Sequence, residues 1–418
     1  MRNKKTYQFI ENNFSINRII KKIISVVLFP LKYALPKKYI IFSGTTNYNY
    51  NGNSRYLFEY LSKNSTYDVY WFTRSKKIQE YLEKNNFHYL TYANPFKLIV
   101  YSAMAKIIFN DGDSYFNLFG LSDTKMTCKI CLFHGYGPKT TLVVSENLET
   151  KNFRLRRINK FNFVNFTSNY LADEISYKIF NLPRKKSIVL GSPRTDDFFD
   201  KNLSDNSRYK KEMLTSFFGD KVNQNSKVIL YTPTWRPYNY NLPLMTIKGF
   251  NEKLFNDYLE KNNIFLIYTT HSVQRPSSFL KNTKNIKYID ESFHLYDTNE
   301  MMLETDILLN DYSTTSVEFS ILKRPQIFCM PDYDEYNTTK GFIDDYKKTM
   351  PGDSFDDIHD FFSLLDKIID NESQYVENYK KEREYLLDKY YNLSNTKSVE
   401  NYNIFLKTIM GVNKNYEE

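Results

Sequence analysis

Four consecutive hydroxyl residues mark the segment LLNDYSTTSVEFS, residues 308–320, as a candidate phosphate site. They are Ser313, Thr314, Thr315 and Ser316, between a short apolar run and an apparent helix. The first turn of a helix offers unpaired backbone N–H groups and the positive end of the helix dipole, so hydroxyls placed there add donors for phosphate oxygens. One hydroxyl would suffice as an N-cap, which contributes about 1 kcal/mol. We therefore predict that this cluster binds phosphate, the alternative being a cap with solvated neighbours.

Two of the five histidines stand at matching places, at the ends of predicted strands. His134 ends the run KICLFH and is followed by Gly135, Gly137 and Lys139, which supply a tight turn and a positive charge. His271 ends the run FLIYTTH. Because a histidine beside a nucleotide cleft can donate to a phosphoryl oxygen or act as a general base, we predict functional roles for both. The alternative is that each histidine is structural.

Charged residues follow three further predicted strands. Arg236, in TPTWR, is a candidate pyrophosphate contact, and Glu318 stands one turn beyond the hydroxyl cluster, where it could reach a ribose hydroxyl pair. Arg194, in GSPRTDD, could equally form an interdomain salt bridge with Asp196. An ordinary surface position is the alternative for Glu318.

Several other site types are not supported by the sequence. It contains no Walker A loop, no G-x-G-x-x-G fingerprint and no pattern of metal ligands, so we expect no metal requirement and no cofactor. The acid pairs Asp344–Asp345 and Asp356–Asp357 lie in acidic loop sequence, where solvated charge is the default.

The three cysteines predict small core residues of a cytoplasmic protein rather than a disulfide framework. Cys128 and Cys131 match C-x-x-C, but they lie in a run that predicts a strand. Strand alternation would send their side chains to opposite faces, which suits neither a metal nor a redox pair.

Alternating β-branched runs and amphipathic segments supply the elements that would position these residues. Such alternation predicts parallel sheets covered by helices, and 418 residues suggest two domains. We predict two Rossmann-like doubly wound α/β domains, residues 38–200 and 201–418, joined in the polar stretch 200–226, with a helical end crossing back over the first domain. In such sheets ligands bind beyond the carboxyl ends of the strands, where the signatures above occur. The candidate strands are residues 38–44, 68–73, 106–111, 129–135, 163–168, 187–193, 228–234, 265–271, 286–289, 306–311 and 325–330.

Positive charge is concentrated in a leader, residues 1–37. Residues 1–38 hold nine basic side chains and one acid, which is +8 of the net charge of +9. A nucleic-acid-binding protein would spread its charge over the folded surface, so an RNA-binding role is disfavoured. Apolar residues from Ile16 to Leu31 recur at helical spacing, in stretches too short to span a bilayer, and Pro30 would bend or end the helix. We predict an amphipathic helix on an anionic membrane surface, the alternative being a helix packed on the protein.

Together the signatures resemble the CDP-glycerol glycerophosphotransferase family, which contains teichoic acid primases and polymerases and relatives in capsule synthesis. The resemblance covers roughly residues 40–360, and the ordered set is more specific than any single motif. In order, the segments are NGNSRYLFEYL, HGYGPK, GSPRTDDFF, YTPTWR, the histidine of TTH, DYSTTSVEF and KGFIDDY…PGDSF.

This resemblance implies a fold of the glycosyltransferase-B type, with two domains facing a cleft, and a peripheral enzyme on the cytoplasmic face of the bacterial cell membrane. It implies transfer of an alditol phosphate, glycerol phosphate foremost, from a CDP-alditol donor to a lipid-linked saccharide or polymer acceptor, with release of CMP. By matching positions, His134 would be the base that takes the proton of the acceptor hydroxyl. His271, Arg236, Ser313 and Thr314 would hold the donor pyrophosphate, with Thr315 and Lys139 beside them, and Glu318, where the family usually has Asp, would hold the ribose.

The sequence departs from the family pattern in two motifs. HGYGPK stands where well-known members are closer to HGTPLK, and DYST replaces DYSS, so the choice of donor or acceptor could differ. One alternative is a glycosyltransferase-B enzyme that uses a nucleotide-activated sugar for a capsule or another surface polysaccharide. A membrane-bound nucleotide sensor without turnover is another, and it would require both histidines to be dispensable.

Overall fold

A computed structural model describes most of the chain. The described residues are 23–45, 49–139, 148–200, 212–223, 225–234, 236, 241–270, 280–289, 297–391 and 397–411. His271 and the first 22 residues of the basic leader lie outside the described residues.

Two parallel sheets form the framework. The first has seven strands in the order β3-β2-β1-β4-β5-β6-β7, and the second has six in the order β10-β9-β8-β11-β12-β13. The first set is β1 Tyr39–Ser43, β2 Val69–Phe72, β3 Tyr89–Leu90, β4 Ala105–Asn110, β5 Cys128–Cys131, β6 Phe163–Phe166 and β7 Ser187–Val189. The second set is β8 Lys227–Tyr231, β9 Ile264–Tyr268, β10 Ile286–Tyr288, β11 Ile307–Asn310, β12 Gln326–Cys329 and β13 Ser354–Phe355.

Helices cover both faces of each sheet, which explains why the strands are continuous apolar runs. In β1, for example, Ile40 and Phe42 pack into one core and Ile41 packs into another on the opposite face. The main α-helices are Leu31–Ala34, Gly52–Asn64, Lys76–Lys84, Pro95–Ala103, Leu148–Ile158, Ser176–Phe180, Glu212–Phe218, Glu252–Lys261, Thr298–Leu303, Thr315–Phe319, Tyr333–Thr339, Tyr346–Thr349, Ile358–Asp370, Glu372–Asn378, Lys380–Tyr390 and Ser398–Met410.

The two-sheet α/β architecture confirms the predicted fold class. Each predicted strand corresponds to an observed one, and the strands of the two sheets fall within residues 38–200 and 201–418. The additional strands β3 and β13 are two-residue edge strands, too short to produce a periodic signal. Cys128 and Cys131 pack into different cores on opposite faces of the first sheet, as strand alternation requires.

The described part of the leader packs partly on the first domain, and its association with a membrane stays a prediction. The helix containing residues 23–27 ends before Pro30, and helix Leu31–Ala34 follows it. Leu28 and Leu31 pack against the core of the first domain, while Val26, Val27 and other apolar side chains are exposed. Within the described ranges no helix has the length and apolar character needed to cross a membrane.

Helix Ser398–Met410 returns to the first domain, as predicted. Val399, Tyr402 and Leu406 are buried in one of the cores of the first sheet. The backbone N–H groups of Ser398 and Val399 donate to the Asp196 carboxylate at 2.8 and 3.0 Å. Asp196 therefore caps this helix, and the interdomain salt bridge expected between Asp196 and Arg194 is wrong.

Candidate active site

The first part of the site is the turn after β5 that carries His134. The strand ends at Cys131, earlier than predicted, because Phe133 adopts a left-handed conformation with a φ of 58°. The exposed His134 ring lies with Nδ1 at 3.1 Å from the backbone carbonyl of Asp111, at the end of β4. Since a carbonyl oxygen can only accept, Nδ1 carries the hydrogen, and in the neutral ring Nε2 is then the proton acceptor. This tautomer suits a general base.

The glycines after His134 let this turn lie directly against the hydroxyl cluster of the second domain. A Cβ added to Gly135 would stand 3.0 Å from Thr314 Oγ1, and one added to Gly137 would stand 3.0 Å from Thr314 Cγ2. Gly135 also has a φ of 131°, a backbone conformation that residues with a side chain rarely adopt. The structure therefore brings together the predicted base and the predicted phosphate-binding residues.

The hydroxyl cluster begins helix Thr315–Phe319, and its side chains differ in their contacts. Thr314 occupies the N-cap position without a side-chain capping bond, while Ser313 Oγ accepts from the N–H of Thr315 at 3.4 Å. Thr315 Oγ1 lies 3.0 Å from Thr232 Oγ1, in the second domain. Ser316 Oγ is buried and has no hydrogen-bond partner among the described residues. Capping thus occupies one hydroxyl weakly, and phosphate binding by Ser313, Thr314 and Thr315 stays a prediction.

Glu318 faces the first domain. Its side chain is only 3% exposed, and its Oε1 accepts from Arg194 Nη2 at 2.6 Å and from Arg194 Nε at 3.2 Å. The other carboxylate oxygen lies 3.5 Å from Asn299 Nδ2. Arg194 thus forms an interdomain ion pair, as anticipated, but with Glu318. A ribose contact by Glu318 stays a prediction and would have to share its carboxylate with Arg194.

Arg236 is buried among carboxylates of the second domain. Its guanidinium forms an ion pair with Asp311 and a two-pronged pair with Asp332, at 2.8 and 3.0 Å. It also lies over the Tyr312 ring, 4.8 Å from the centroid. These carboxylates hold the pKa of Arg236 well above its usual value, against the effect of burial. Pyrophosphate binding by Arg236 stays a prediction, and it would require the guanidinium to exchange or share these partners.

The His134 loop contacts the second domain at Lys139. Its backbone pairs with Phe342 in an antiparallel bridge, and the carbonyl of the preceding Pro138 accepts from the N–H of Ile343 at 2.5 Å. Burial lowers the pKa of Lys139 to about 8, although the Asp311 carboxylate opposes this effect. The ammonium group is thus placed near the end of β11, beside the predicted phosphate site.

A second group of interdomain contacts lies at the start of helix Gly52–Asn64. Arg55 pairs with Glu300 at 3.0 and 3.2 Å, the N–H of Gly52 donates to Asp297 at 3.3 Å, and the Tyr56 hydroxyl donates to Asp297 at 3.3 Å. Asp297 and Glu300 also form the capping box of helix Thr298–Leu303. These polar contacts hold the two domains together across the cleft.

Sequence reasoning missed some structural contributions to this site. Asn53, in the NGNS segment, and Asp111 were given no role, although both contact the His134 turn. Asp344 was interpreted as solvated, but it is largely buried and accepts from Lys389 Nζ at 2.6 Å and from the Tyr390 hydroxyl. Its neighbour Asp345 is exposed, as expected. The position of Asp111 at the end of a strand could have identified it from the sequence. Asn53 and Asp344 could not be identified in this way, because their partners are distant in sequence.

Among the residues that the structure describes, no group of three or more histidine, cysteine, aspartate or glutamate side chains is arranged to hold a metal ion. The expectation of metal-independent chemistry stays a prediction.

Comparison with known proteins identifies relatives over nearly the whole chain. The model of the family described as CDP-Glycerol:Poly(glycerophosphate) glycerophosphotransferase matches residues 27–405. A teichoic acid poly(glycerol phosphate) polymerase of Bacillus spizizenii is 28% identical over 80% of this chain and 84% of its own length. A teichoic acid glycerol-phosphate transferase of Staphylococcus aureus is 25% identical over 87% of this chain and 93% of its own.

A solved structure shares the fold. The wall teichoic acid polymerase TagF superposes with a TM-score of 0.74 at 20% sequence identity, over 98% of this chain and 99% of the TagF chain. This similarity supports the two-domain, glycosyltransferase-B-type arrangement.

Proposed function

Because the chain belongs to the CDP-glycerol:poly(glycerophosphate) glycerophosphotransferase family, we propose that it transfers glycerol phosphate from CDP-glycerol to a membrane-linked acceptor and releases CMP. The acceptor is a teichoic acid or a capsular polymer. The relatives whose names specify glycerol phosphate, a polymerase and a transferase, favour this donor.

The contact between the His134 turn and Thr314 is the observation that carries the proposal. A Cβ on either Gly135 or Gly137 would lie only 3.0 Å from the Thr314 side chain, so the turn and the hydroxyl cluster are in close contact. The histidine proposed as the base, from one domain, therefore lies beside hydroxyls at a helix N-terminus of the other. Transfer between a hydroxyl acceptor and a pyrophosphate donor requires this combination of a proton acceptor and phosphate ligands.

The reaction would begin with proton transfer from the acceptor hydroxyl to His134 Nε2. The acceptor oxygen attacks the β-phosphorus of CDP-glycerol, the bond to the CMP oxygen breaks in line, and CMP leaves. The Asp111 carbonyl, bonded to Nδ1–H, stabilises the imidazolium that forms. Catalysis would come mostly from positioning and from electrostatic stabilisation of the pyrophosphate.

The donor would lie against the second domain. Ser313, Thr314 and Thr315 would donate to its phosphates together with the helix N-terminus, and Lys139 would supply a nearby charge. His271 and Arg236 would also hold the donor pyrophosphate. Glu318 would accept from the ribose hydroxyls.

The first experiment measures CMP release by the purified protein with a lipid-linked acceptor and separate donors: CDP-glycerol, CDP-ribitol and nucleotide sugars. We expect CMP from CDP-glycerol, and a loss of about 10²- to 10⁴-fold in turnover for His134→Gln. The matched control is His359→Gln, because His359 lies on the exposed side of helix Ile358–Asp370.

The outcomes separate the alternatives. CMP release from CDP-ribitol alone would identify CDP-ribitol as the donor instead. Nucleotide release from a nucleotide sugar alone would support a glycosyltransferase. Full turnover by His134→Gln would contradict its role as base. CDP-glycerol binding by that variant should persist in calorimetry, because His134 is not among the proposed donor ligands, most of which lie in the second domain.

Peripheral membrane association is part of the proposal. Exposed apolar side chains lie on residues 23–33 and on the adjoining helix Pro95–Ala103: Ile23, Val26, Val27, Phe29, Tyr33 and Phe96. Lys32 and Lys97 stand among them. This combination of apolar and basic side chains suits an anionic lipid surface, where the acceptor would be anchored.

Vesicle co-sedimentation tests this surface. Phe96→Asp combined with Val27→Asp should reduce binding to phosphatidylglycerol vesicles, with little binding to phosphatidylcholine for either protein. Ile404→Asp is the matched control, since Ile404 is 60% exposed on helix Ser398–Met410. Equal binding by all three proteins would exclude this face as the membrane contact.

A further inference from the structure

The backbone around His134 is held at its two neighbouring carbonyls by side chains from other segments. Asn53 Nδ2 donates to the carbonyl of Phe133 at 2.9 Å, and Arg194 Nη2 donates to the carbonyl of His134 at 2.5 Å. Asn53 lies in the first turn of the helix after β1, and Arg194 follows β7. The peptide groups on both sides of the catalytic residue are therefore fixed from outside the turn.

This support matters because the turn is strained. Phe133 has a φ of 58°, in the left-handed region that a bulky residue rarely adopts. Such a conformation is strained and persists only when surrounding contacts enforce it. Its effect is to turn the chain after β5 so that His134 Nδ1 reaches the Asp111 carbonyl. Losing the enforcing contacts would release the turn.

The orientation of the Asn53 amide follows from its own contacts. Its Oδ1 accepts from Ser192 Oγ at 2.9 Å and from the N–H of Arg194 at 3.2 Å, so Nδ2 must face Phe133. The residue is only 2% exposed. A carboxylate at this place would keep both acceptor contacts but would put an oxygen against the Phe133 carbonyl.

Arg194 extends the same support to the second domain. Its Nη2 donates both to the His134 carbonyl and to Glu318, and its Nε also donates to Glu318. Glu318 lies on helix Thr315–Phe319, behind the hydroxyl cluster. One guanidinium thus links the backbone of the base to the helix that would hold the donor.

We propose that Asn53 and Arg194 are positioning residues for His134. They hold the strained turn so that Nδ1–H stays on the Asp111 carbonyl and Nε2 stays the proton acceptor. The inference rests on the proposed function, in which His134 is the base. It assigns a role to the NGNS and GSPR segments, whose side chains the proposed chemistry does not use directly.

The sharpest test is Asn53→Asp, which removes one donor with almost no change in volume. We expect kcat to fall about 10- to 100-fold, as for a catalytic group displaced by about 1 Å, while KM for CDP-glycerol changes little. Arg194→Gln should lower kcat similarly, and it should raise KM as well because Glu318 loses its partner. Asn285→Asp is the matched control: Asn285 is buried and donates from Nδ2 to the Ile264 carbonyl, in the second domain.

A second measurement reports on the ring without turnover. The ¹³C shifts of the imidazole distinguish the Nδ1–H from the Nε2–H tautomer, and His134→Gln assigns the signal among only five histidines. The Nδ1–H form should predominate in the native protein and in Asn285→Asp. It should decline in Asn53→Asp and Arg194→Gln, which a general loss of stability would not cause.

The outcomes separate the two levels of inference. Native kcat and an unchanged tautomer in folded Asn53→Asp and Arg194→Gln would overturn the positioning role. Full turnover by His134→Gln would instead overturn the proposed function, whatever the tautomer. If Asn53→Asp does not fold, Arg194→Gln tests the same support from the other carbonyl.

Discussion

The carboxyl ends of β4 and β11 carry the same pair of residues in the same topological position, with different electrostatic environments. Each strand adjoins the first strand of its sheet, where the strand order reverses, and each ends in Asn-Asp: Asn110–Asp111 and Asn310–Asp311. Both aspartates also accept hydrogen bonds from a residue that follows the adjoining strand, β1 or β8. The donors are the N–H and hydroxyl of Ser54 for Asp111, and those of Thr234 for Asp311.

The two ends differ in charge. Asp311 forms a buried ion pair with Arg236, whereas the hydrogen bonds to Asp111 come from the uncharged groups of Ser54, and burial raises the pKa of Asp111 to about 7. Their backbone carbonyls differ too: that of Asp111 accepts from His134 Nδ1, and that of Asp311 accepts from the Tyr346 hydroxyl. The same strand end thus carries a buried carboxyl without an ion pair, beside His134, in one domain and a buried ion-pair cluster in the other.

Of the substitutions that test this difference, the loss of Arg236 should change the free energy of unfolding the most. In Arg236→Met the buried carboxylate of Asp311 and the partly buried one of Asp332 lose their cation, so we expect the free energy of unfolding to fall by about 3–5 kcal/mol. Arg184→Met, which breaks an exposed pair with Asp173, should cost less than about 1 kcal/mol. Urea unfolding measures both. Equal losses would mean that Arg236 does not stabilise the Asp311 cluster.

Asp111 should make the free energy of unfolding depend on pH. Its folded pKa of about 7 lies above the value of about 4 for an unfolded chain, so the folded state binds the proton more tightly. Its contribution to the free energy of unfolding is therefore greatest below about pH 4 and falls by roughly 1.4 kcal/mol per pH unit up to about pH 7. Asp111→Asn should abolish this slope. A difference between the two proteins that stays constant from pH 4 to 8 would contradict the raised pKa.

Gly135→Ala should have the smallest effect on stability. It tests the contact between the His134 turn of the first domain and Thr314 of the second. The added Cβ would meet Arg194 Nη2 and Thr314 Oγ1 at 3.0 Å, in a strained backbone that costs on the order of 1–3 kcal/mol. Gly219→Ala is the control, since Gly219 has a φ of 66° and an added Cβ there would meet nothing within 4 Å among the described residues. We expect only Gly135→Ala to reduce CMP release, by about tenfold or more. Equal activity of the two variants would mean that the close approach to Thr314 is not needed.

Much of the fold and part of the site followed from sequence because the signals were local. Apolar runs located the strands, and the strand-end rule placed His134 and Thr314 at facing edges. The partner of Arg194 was missed because Glu318 is 124 residues away, and no periodicity links them. Arg236 was assigned to pyrophosphate for its charge at a strand end and for the family resemblance. Its contacts with Asp311 and Asp332 were missed because they depend on how loops meet above the sheet. Local patterns thus predicted elements, while side-chain pairing required the assembled domains.

Helix Ser398–Met410 has a consequence for synthesis on the ribosome. It completes a core of the first domain, yet 202 residues separate Asp196 from the Ser398 N–H that it caps. The apolar face that Tyr402 covers, which includes Phe109, therefore stays open while the second domain is being translated. Domains commonly fold in the order of their synthesis, but here the first can close only after the second has emerged. A nascent chain paused before residue 398 should expose apolar surface and attract chaperones.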